Sequence, residues 1–395
     1  MKLARELSEL ERFGPLLDAL PGPSYLVGGT VRDLLLGRPP RFDFDLAVVG
    51  EAESYAQHLA ERLGGRVTTH GRFGTAQVRY GTTHIDVTTA RTETYAAPAA
   101  LPDVAPAETI EDDLRRRDFT INAMAIALPD ADLIDPLQGE QHLREKLVRV
   151  LHERSFVDDP TRIFRAARYE TRLGFRMDPK TETLALLAAP DTRLLSGARI
   201  REELFAILEE DEPERTLARL HAFGVDRALG VEFPAGPTGL QDRLRRLNDA
   251  YGLGLPRWHL GLLSVRGPDG WLDDLKVIRR VADDVQAAHR EEPFLRVALA
   301  GGGHTPAEIV EAVEQSGPDT PVYALASAEL PALRRYFERL RGVQLEVDGD
   351  DLMALGLAES PRVGEVLGEL RRRKLNGELP SRAEELAAAR ELITE

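Results

Sequence analysis

Residues 25–50 read YLVGGTVRDLLLGRPPRFDFDLAVVG. Residues 25–27 form a short apolar strand, Gly28-Gly29 a tight turn, and residues 30–36 one or two turns of helix. Asp43-Phe44-Asp45 opens a second strand that runs on through residues 46–49. Strand side chains alternate between faces, so both carboxylates point the same way. Like charges that close repel each other unless a cation neutralises them. A pair of divalent ions held there would clamp an in-line phosphoryl displacement. Bare N–H groups at a glycine turn entering a helix suit a triphosphate, and Arg32, one turn on, adds a charge-assisted contact. An Asp-x-Asp alone marks a turn more often than a metal site. With Gly-Gly-x-x-Arg upstream and a strand on each side, the pattern points to nucleotidyl transfer.

Composition sets the bounds around that stretch. A chain of 395 residues is too long for one small core, and two to four structural units are expected. The absence of cysteine excludes disulfides and thiolate metal sites. The first residues, MKLARELSELERF, read as a charged amphipathic helix rather than a signal peptide. No run of eighteen apolar residues occurs, so no membrane span is expected, and a cytoplasmic location fits. The net charge of −15 argues against a nucleic-acid partner unless basic residues cluster locally. Only 5 of the 51 basic residues are lysine, which is read mainly as codon bias.

Strand signals continue to about residue 135. A helix at 52–63 is followed by alternating runs at 66–70, 75–80 and 84–88, with Gly81-Thr82 as a hairpin turn. Residues 90–110, rich in proline and alanine without a clean period, are expected to be a mobile loop. A strand at 122–128, a turn at 129–132 and a short return at 133–134 complete the set. Beyond it, glycine and proline punctuate segments at helical spacing. The fold class is therefore α+β, an α/β head followed by an elongated all-helical body, with residues 301–303 as a flexible point before a last helical unit.

Two further segments carry chemistry. In RRRDFTINAMA, from Arg115, the arginines are placed at the mouth of the sheet, with Arg117 and Asp118 able to pair and Asn122 offering an amide. Its plainer reading is a solvated charge run. In DDPTRIFRAAR, from Asp158, Asp159 is a natural N-cap and Pro160 a natural first helical residue. Arg162, Arg165, Arg168 and Arg172 then share one helix face, which in the plainer reading is only a solvated stripe. The sharper reading concerns base selection. Cytosine and adenine both present an amino donor beside a ring-nitrogen acceptor. A carboxylate with an arginine one turn on complements that edge, whereas uracil and guanine leave both protein groups unpaired. Asp159 and Arg162 have the chemistry of such a pair.

These segments, with DVTTARTETY, EDDLRRRDFTINAMA, IDPLQG and DDPTRIFRAARYETRLGF, resemble the class II tRNA nucleotidyltransferases, the CCA-adding enzymes and their bacterial poly(A) polymerase relatives. The likeness is specific over residues 24–176 and again over 349–390. It implies a polymerase-beta-like nucleotidyltransferase head at 1–137, a nucleotide-selecting neck at 138–210, a body at 211–300 and a tRNA-binding tail at 301–395. It implies that Gly28, Gly29 and Arg32 meet the incoming nucleotide and that Asp43 and Asp45 are catalytic Mg2+ ligands. Arg117 would sit at the triphosphate or sugar, and Asp159, Arg162, Arg165 and Arg168 on the selecting helix. Asp86 is a possible third acidic ligand by spacing, or else a partner for Arg91. Ala198-Arg199-Ile200 stands where the family often has Glu-Arg-Ile, and no role is assigned to it. The implied activity is template-independent addition of C and/or A to the tRNA 3′ end from CTP and ATP. A-only or CC-only addition, poly(A) synthesis, and non-catalytic tRNA binding are the alternatives. No protein partner is implied. Trp258 and Trp271 are expected in packing, and RNA phosphates are sought at residues 243–246, 371–374 and Pro361-Arg362.

Overall fold

The computed structural model describes residues 13–38, 43–70 and 74–394. The helix expected at the extreme N-terminus lies outside them but for its last residue. The chain divides into two compact units, Met1–Gly230 and Val231–Glu395.

The first unit opens with α1 (Phe13–Ala19), β1 (Ser24–Val27), α2 (Gly29–Leu35), β2 (Asp43–Val48) and α3 (Ala52–Leu63). Strands β3 (Arg66–His70), β4 (Thr75–Tyr80) and β5 (Thr83–Thr89) follow, within a residue of their sequence signals. After them come β6 (Arg91–Thr94), β7 (Asp103–Pro106), α4 (Ile110–Arg115), β8 (Ala125–Leu128) and β9 (Asp132–Ile134). Seven strands make one sheet in the order β3-β4-β5-β2-β1-β8-β9, antiparallel except where β2 runs parallel to β5. Alternation along β2 sends Phe44 and Leu46 into the core and leaves Asp43 and Asp45 exposed. Phe44 packs on Phe13, ring centroids 5.2 Å apart. Ala47, on the carboxylate face, is buried with Val27, Ile110, Leu114 and Ala125, so α4 closes that face beyond the two aspartates.

Two expectations change here. Residues 90–110 contain a two-stranded ribbon: β6 pairs antiparallel with β7, Arg91 opposite Pro106 and Thr94 opposite Asp103. The Ala99 N–H, at the ribbon's tip, donates to the Val157 carbonyl. Backbone pairing thus orders a segment whose side chains have no period. Residues 115–122 do not enter a strand directly either. They follow α4 and pass through a 3-10 turn, Thr120–Asn122, before β8.

The rest of the unit is mostly helical: α5 (Gly139–Arg144), β10 (Leu147–Val148), α6 (Ser155–Asp158), α7 (Thr161–Leu173), β11 (Arg176–Met177), α8 (Pro179–Ala188), α9 (Gly197–Leu208), α10 (Pro213–Phe223) and α11 (Val225–Leu229). Helix α7 begins one residue after Pro160 and stops at Gly174, whose φ of 68° is left-handed.

The second unit contains α12 (Leu240–Tyr251), α13 (Arg257–Leu262), α14 (Trp271–Asp274), α15 (Arg279–Ala298), α16 (Pro306–Glu314), α17 (Thr320–Ser327), α18 (Pro331–Arg335), α19 (Gly349–Ala354), α20 (Pro361–Leu375) and α21 (Arg382–Thr394). A π-helical turn, Tyr336–Leu340, extends α18. One core joins Leu295 and Leu299 to Ile309, Leu325, Leu333 and Leu375, so it includes residues on both sides of 301–303. Trp271 is buried, and Trp258 stacks on His259. Among the described residues no helix is long and apolar enough to cross a membrane.

Candidate active site

The glycine turn comes first because its geometry leaves little choice of residue. Gly28 has φ +68°, and a Cβ there would stand 2.8 Å from Arg117 Nη1. Glycine therefore supplies both the left-handed backbone and the space for the guanidinium. No side chain caps α2, which leaves its first N–H groups bare for an anion. Arg117 reaches this turn because Asp113, four residues earlier, grips its Nε and Nη2 at 3.2 and 2.8 Å. Asp113 also holds Arg116 and accepts from the Arg91 N–H. Burial alone would raise the Asp113 carboxyl, but Arg117 and Arg116 hold it below the usual range.

The expected Arg117–Asp118 pair is not made. The helical turn places Arg117 over Asp113, while Asp118 points inward. There it accepts from the Phe119 N–H, from Asn122 Nδ2, and from Arg165 through two bonds of 2.8 and 2.6 Å. Arg32 is buried as well. It donates to Asp33 and to Asn122 Oδ1 and lies 5.2 Å from the Tyr169 ring centroid.

Asp43 and Asp45 share the exposed face of β2 as the alternation requires, and Asp86 is the register partner of Asp45 on β5. Asp45 is open to solvent, yet nearby protein displaces enough water to raise its carboxyl above the ordinary range. Asp86 and Asp43 push it further up, against Arg117 and the Thr30 hydroxyl. Arg91 bonds Glu93, while Asp86 accepts from Gln77 Nε2 at 2.9 Å. Among the described residues no three carboxylate or imidazole groups converge on one point. The acidic face is thus an Asp43–Asp45 pair with Asp86 alongside, turned toward Gln77.

Helix α7 supplies the other side. Asp159 Oδ1 accepts from the Thr161 N–H at 3.0 Å, the Thr161 hydroxyl at 2.6 Å and Arg199 Nη2 at 2.6 Å. All three bonds fall on one oxygen, leaving Oδ2 open. Arg162 is buried rather than solvated. Its Nη2 donates to the Arg116 carbonyl, and its Nη1 is buried with no partner among the described residues. Arg165 pairs with Asp118 and, at 3.6 Å, with Glu203. Arg168 lies between Glu203 and Glu210. Desolvation raises the Glu203 carboxyl despite Arg165 and Arg168. Guanidinium groups of Arg32, Arg165 and Arg168 all lie within 6 Å of the Tyr169 ring. Arg172, nearly half exposed, lies 3.7 Å from Glu210, so the four arginines of α7 are not the uniformly solvated stripe of the plainer reading.

Gly28, Gly29, Arg117, Asp159, Arg162 and Arg165 line one cleft of about 420 Å³, together with Tyr95, Tyr169, Arg199 and Glu203. Arg32 and Arg168 lie behind its walls, and the carboxylates of β2 and β5 are not part of its lining. Arg199 is the residue that sequence reasoning passed over. It bridges Asp159 to the Ala99 carbonyl, and its position in the Ala-Arg-Ile element was the available signal.

Residues 24–149 match the family described as Poly A polymerase head domain, and residues 174–229 match the probable RNA and SrmB-binding site of polymerase A. An A-adding tRNA nucleotidyltransferase of Geobacter sulfurreducens is 35% identical over 96% of the chain, which spans only 46% of that longer relative. One from Halalkalibacterium halodurans is 34% identical, with 98% of the chain and 92% of the relative covered. A CC-adding tRNA nucleotidyltransferase of Deinococcus radiodurans is 30% identical, covering 92% and 88%. Among solved structures, a CCA-adding enzyme in an apo form has a TM-score of 0.81 at 30% identity, covering 98% of this chain and 95% of that one. CCA-adding enzyme complexes with CTP and with ATP have TM-scores of 0.79 and 0.78, at 30% and 29% identity, and cover 98% of this chain and 97% and 95% of theirs.

Proposed function

Because the chain belongs to the tRNA nucleotidyltransferase family, we propose that it adds C and/or A to the 3′ end of tRNA from CTP and ATP, without a template. The ribose hydroxyl at the tRNA end attacks the α-phosphate, forming the new ester as the bond to pyrophosphate breaks. The observation that carries this reading is Arg162 Nη1, buried without a partner in a cleft that Asp159 also lines. A buried donor without an acceptor is costly, and a ligand acceptor relieves that cost. Asp159 Oδ2 accepts from the exocyclic amine while Arg162 donates to the ring nitrogen, an edge that cytosine and adenine share.

The bare N–H groups after Gly28 and the Arg117 guanidinium bind the triphosphate. Asp113 holds Arg117 in place for that contact. The donor set of β2 fits Mg2+: hard carboxylate oxygens on one face, with Asp45 raised first by desolvation and then by Asp86 and Asp43. Asp43 and Asp45 would hold the ion, with Asp86 beside them. When bound, the metal neutralises phosphate charge and activates the attacking hydroxyl.

A second reading, addition of the terminal A alone, is favoured by the names of the two relatives that are 34% and 35% identical. One experiment separates the cases. The purified protein is given tRNA ending before CCA, after C, or after CC, with labelled CTP and ATP supplied separately and together. C incorporation followed by one A supports full CCA addition, and A onto the CC end alone supports the A-adding reading. C without A means a CC-adding enzyme, and a long A tail a poly(A) polymerase. No incorporation with any end overturns the proposal.

A further inference from the structure

The basic runs of the second unit are not equivalent once their partners are known. At residues 371–374, Arg371 is bonded by Glu314, Arg372 and Arg373 by Glu369, and Lys374 by Glu346 and Glu385. At residues 243–246, Arg243 donates to the Ala326 and Thr238 carbonyls and Arg246 pairs with Asp242. Arg279 and Arg280 face Asp283 and Asp284. The run at 371–374 is neutralised by neighbouring carboxylates, whereas Arg243 is held by carbonyls and Arg279 and Arg280 lie 3.7 and 3.9 Å from their acids on the surface.

The segment LRRYFERLRG, from Leu333, differs. Its four arginines, Arg334, Arg335, Arg339 and Arg341, are all exposed. Arg335 and Arg339 have no partner among the described residues. Arg334 has only Glu329, at 3.9 Å on the surface, and Arg341 donates only to the Tyr251 carbonyl. Glu338 is the one acidic residue within the segment. The backbone explains the display. The Arg341 N–H donates to the Tyr336 carbonyl, an i to i+5 bond that makes this turn π-helical. Tyr336 and Phe337 pack against the unit's core, with Phe337 stacked on Tyr251 at 4.8 Å. The aromatics anchor the turn while the arginines stay in water. Single π-turns of this kind are frequent at functional positions.

We infer that Arg334, Arg335, Arg339 and Arg341 form a phosphate-binding surface for the RNA substrate. It rests on the proposed tRNA activity and moves the RNA contact away from the neutralised run at 371–374. A chain of net charge −15 repels RNA at long range, so local clusters of unpaired cations must provide the contact.

The test is the salt dependence of tRNA binding, measured by fluorescence anisotropy on the full chain. Each phosphate contact adds about 0.9 to the slope of log affinity against log salt. Removing two charges in Arg335→Gln/Arg339→Gln should lower the slope by roughly 1.8. Between 50 and 200 mM salt, the parent then loses roughly twelvefold more affinity than the variant. The nucleotide KM should not change. Arg335→Lys/Arg339→Lys, which keeps the charges, should retain the parent slope, and Arg371→Gln/Arg372→Gln should also leave it near the parent value. An unchanged slope in the glutamine pair overturns the inference, as does an equal loss in the lysine pair or in the 371–372 control. If the parent adds no nucleotide to tRNA, the proposed function fails instead, and that result is read from a different assay.

Discussion

On the proposed reading, replacing Asp159 with alanine removes one hydrogen-bond acceptor from the edge that meets the base, and the bonds Asp159 already makes set the size of the effect. Asp159 Oδ1 is occupied by Thr161 and Arg199, so only Oδ2 is available to a nucleotide. One charge-assisted bond is therefore at stake, about 1.5–3 kcal/mol. At about 1.4 kcal/mol per factor of ten, CTP or ATP should lose roughly 10- to 150-fold in kcat/KM. UTP and GTP should change in the other direction, because they no longer leave Oδ2 of the half-buried, Arg199-paired Asp159 without a donor, a penalty of about 1–3 kcal/mol. The two effects combine in the ratio of correct to incorrect nucleotide, which should fall by about 10² to 10⁴. The assay is single-turnover incorporation with each of the four nucleotides on tRNA ending before CCA and after CC. Taking the ratio cancels effects common to every nucleotide, such as triphosphate and metal binding. An unchanged ratio, even with a large loss of overall rate, would refute the base-reading role and leave Asp159 as a cap for α7.

Three other perturbations probe the phosphate side. Asp43→Ala and Asp45→Ala should each reduce incorporation below detection while tRNA affinity stays within about twofold, checked by labelled-nucleotide addition alongside anisotropy. Gly28→Ala forces alanine into a positive-φ backbone (φ 68°, ψ −132°) outside even the left-handed helical region, about 1–3 kcal/mol, and displaces Arg117 from 2.8 Å; nucleotide KM should rise more than kcat falls. For Asp45, the folded carboxyl is raised above its ordinary value, so the folded state binds more protons between the unfolded and folded pKa. Stability from this group is then lost as pH rises across that window. Asp45→Asn should melt higher than the parent at neutral pH in EDTA, with the gain vanishing below the ordinary carboxylate range. An equal gain at both pH values would assign it to something other than this carboxyl.

The parts of this site legible in sequence are those built within one element. The β2 alternation put Asp43 and Asp45 on one face without further help, and Gly28 and the start of α7 were marked by their residue types. What escaped is held by contacts between distant segments. The Arg165–Asp118 pair spans 47 positions, Arg32–Asn122 spans 90, and Arg199 reaches Ala99 across 100. Spacing along a helix shows that four arginines share a face. It does not show that carboxylates from elsewhere occupy them, and three of the four are paired inside the first unit with Asp118, Glu203 or Glu210. The ribbon of β6 and β7 was missed for a related reason. Composition describes side chains, whereas backbone pairing holds that segment.

Arg199 shows why this matters for selectivity. A free aspartate at a cleft mouth would rotate and accept from whatever base arrived, and its discrimination would be averaged away. Here one oxygen is fixed by Thr161 and Arg199, and Arg199 is itself held by the Ala99 carbonyl of the ribbon tip. The remaining oxygen is thereby presented from a restrained position, so little rotamer entropy is lost when a base binds. Arg162 is fixed in the same way, with Nη2 on the Arg116 carbonyl and Nη1 left over. Each of the two proposed reading groups is bound to the protein at one end and has no protein partner at the other among the described residues. On the proposed reading, selectivity for a base edge would depend on segments near residues 99, 116, 159 and 199 holding one another, independently of the acidic pair on β2, which would treat every triphosphate alike.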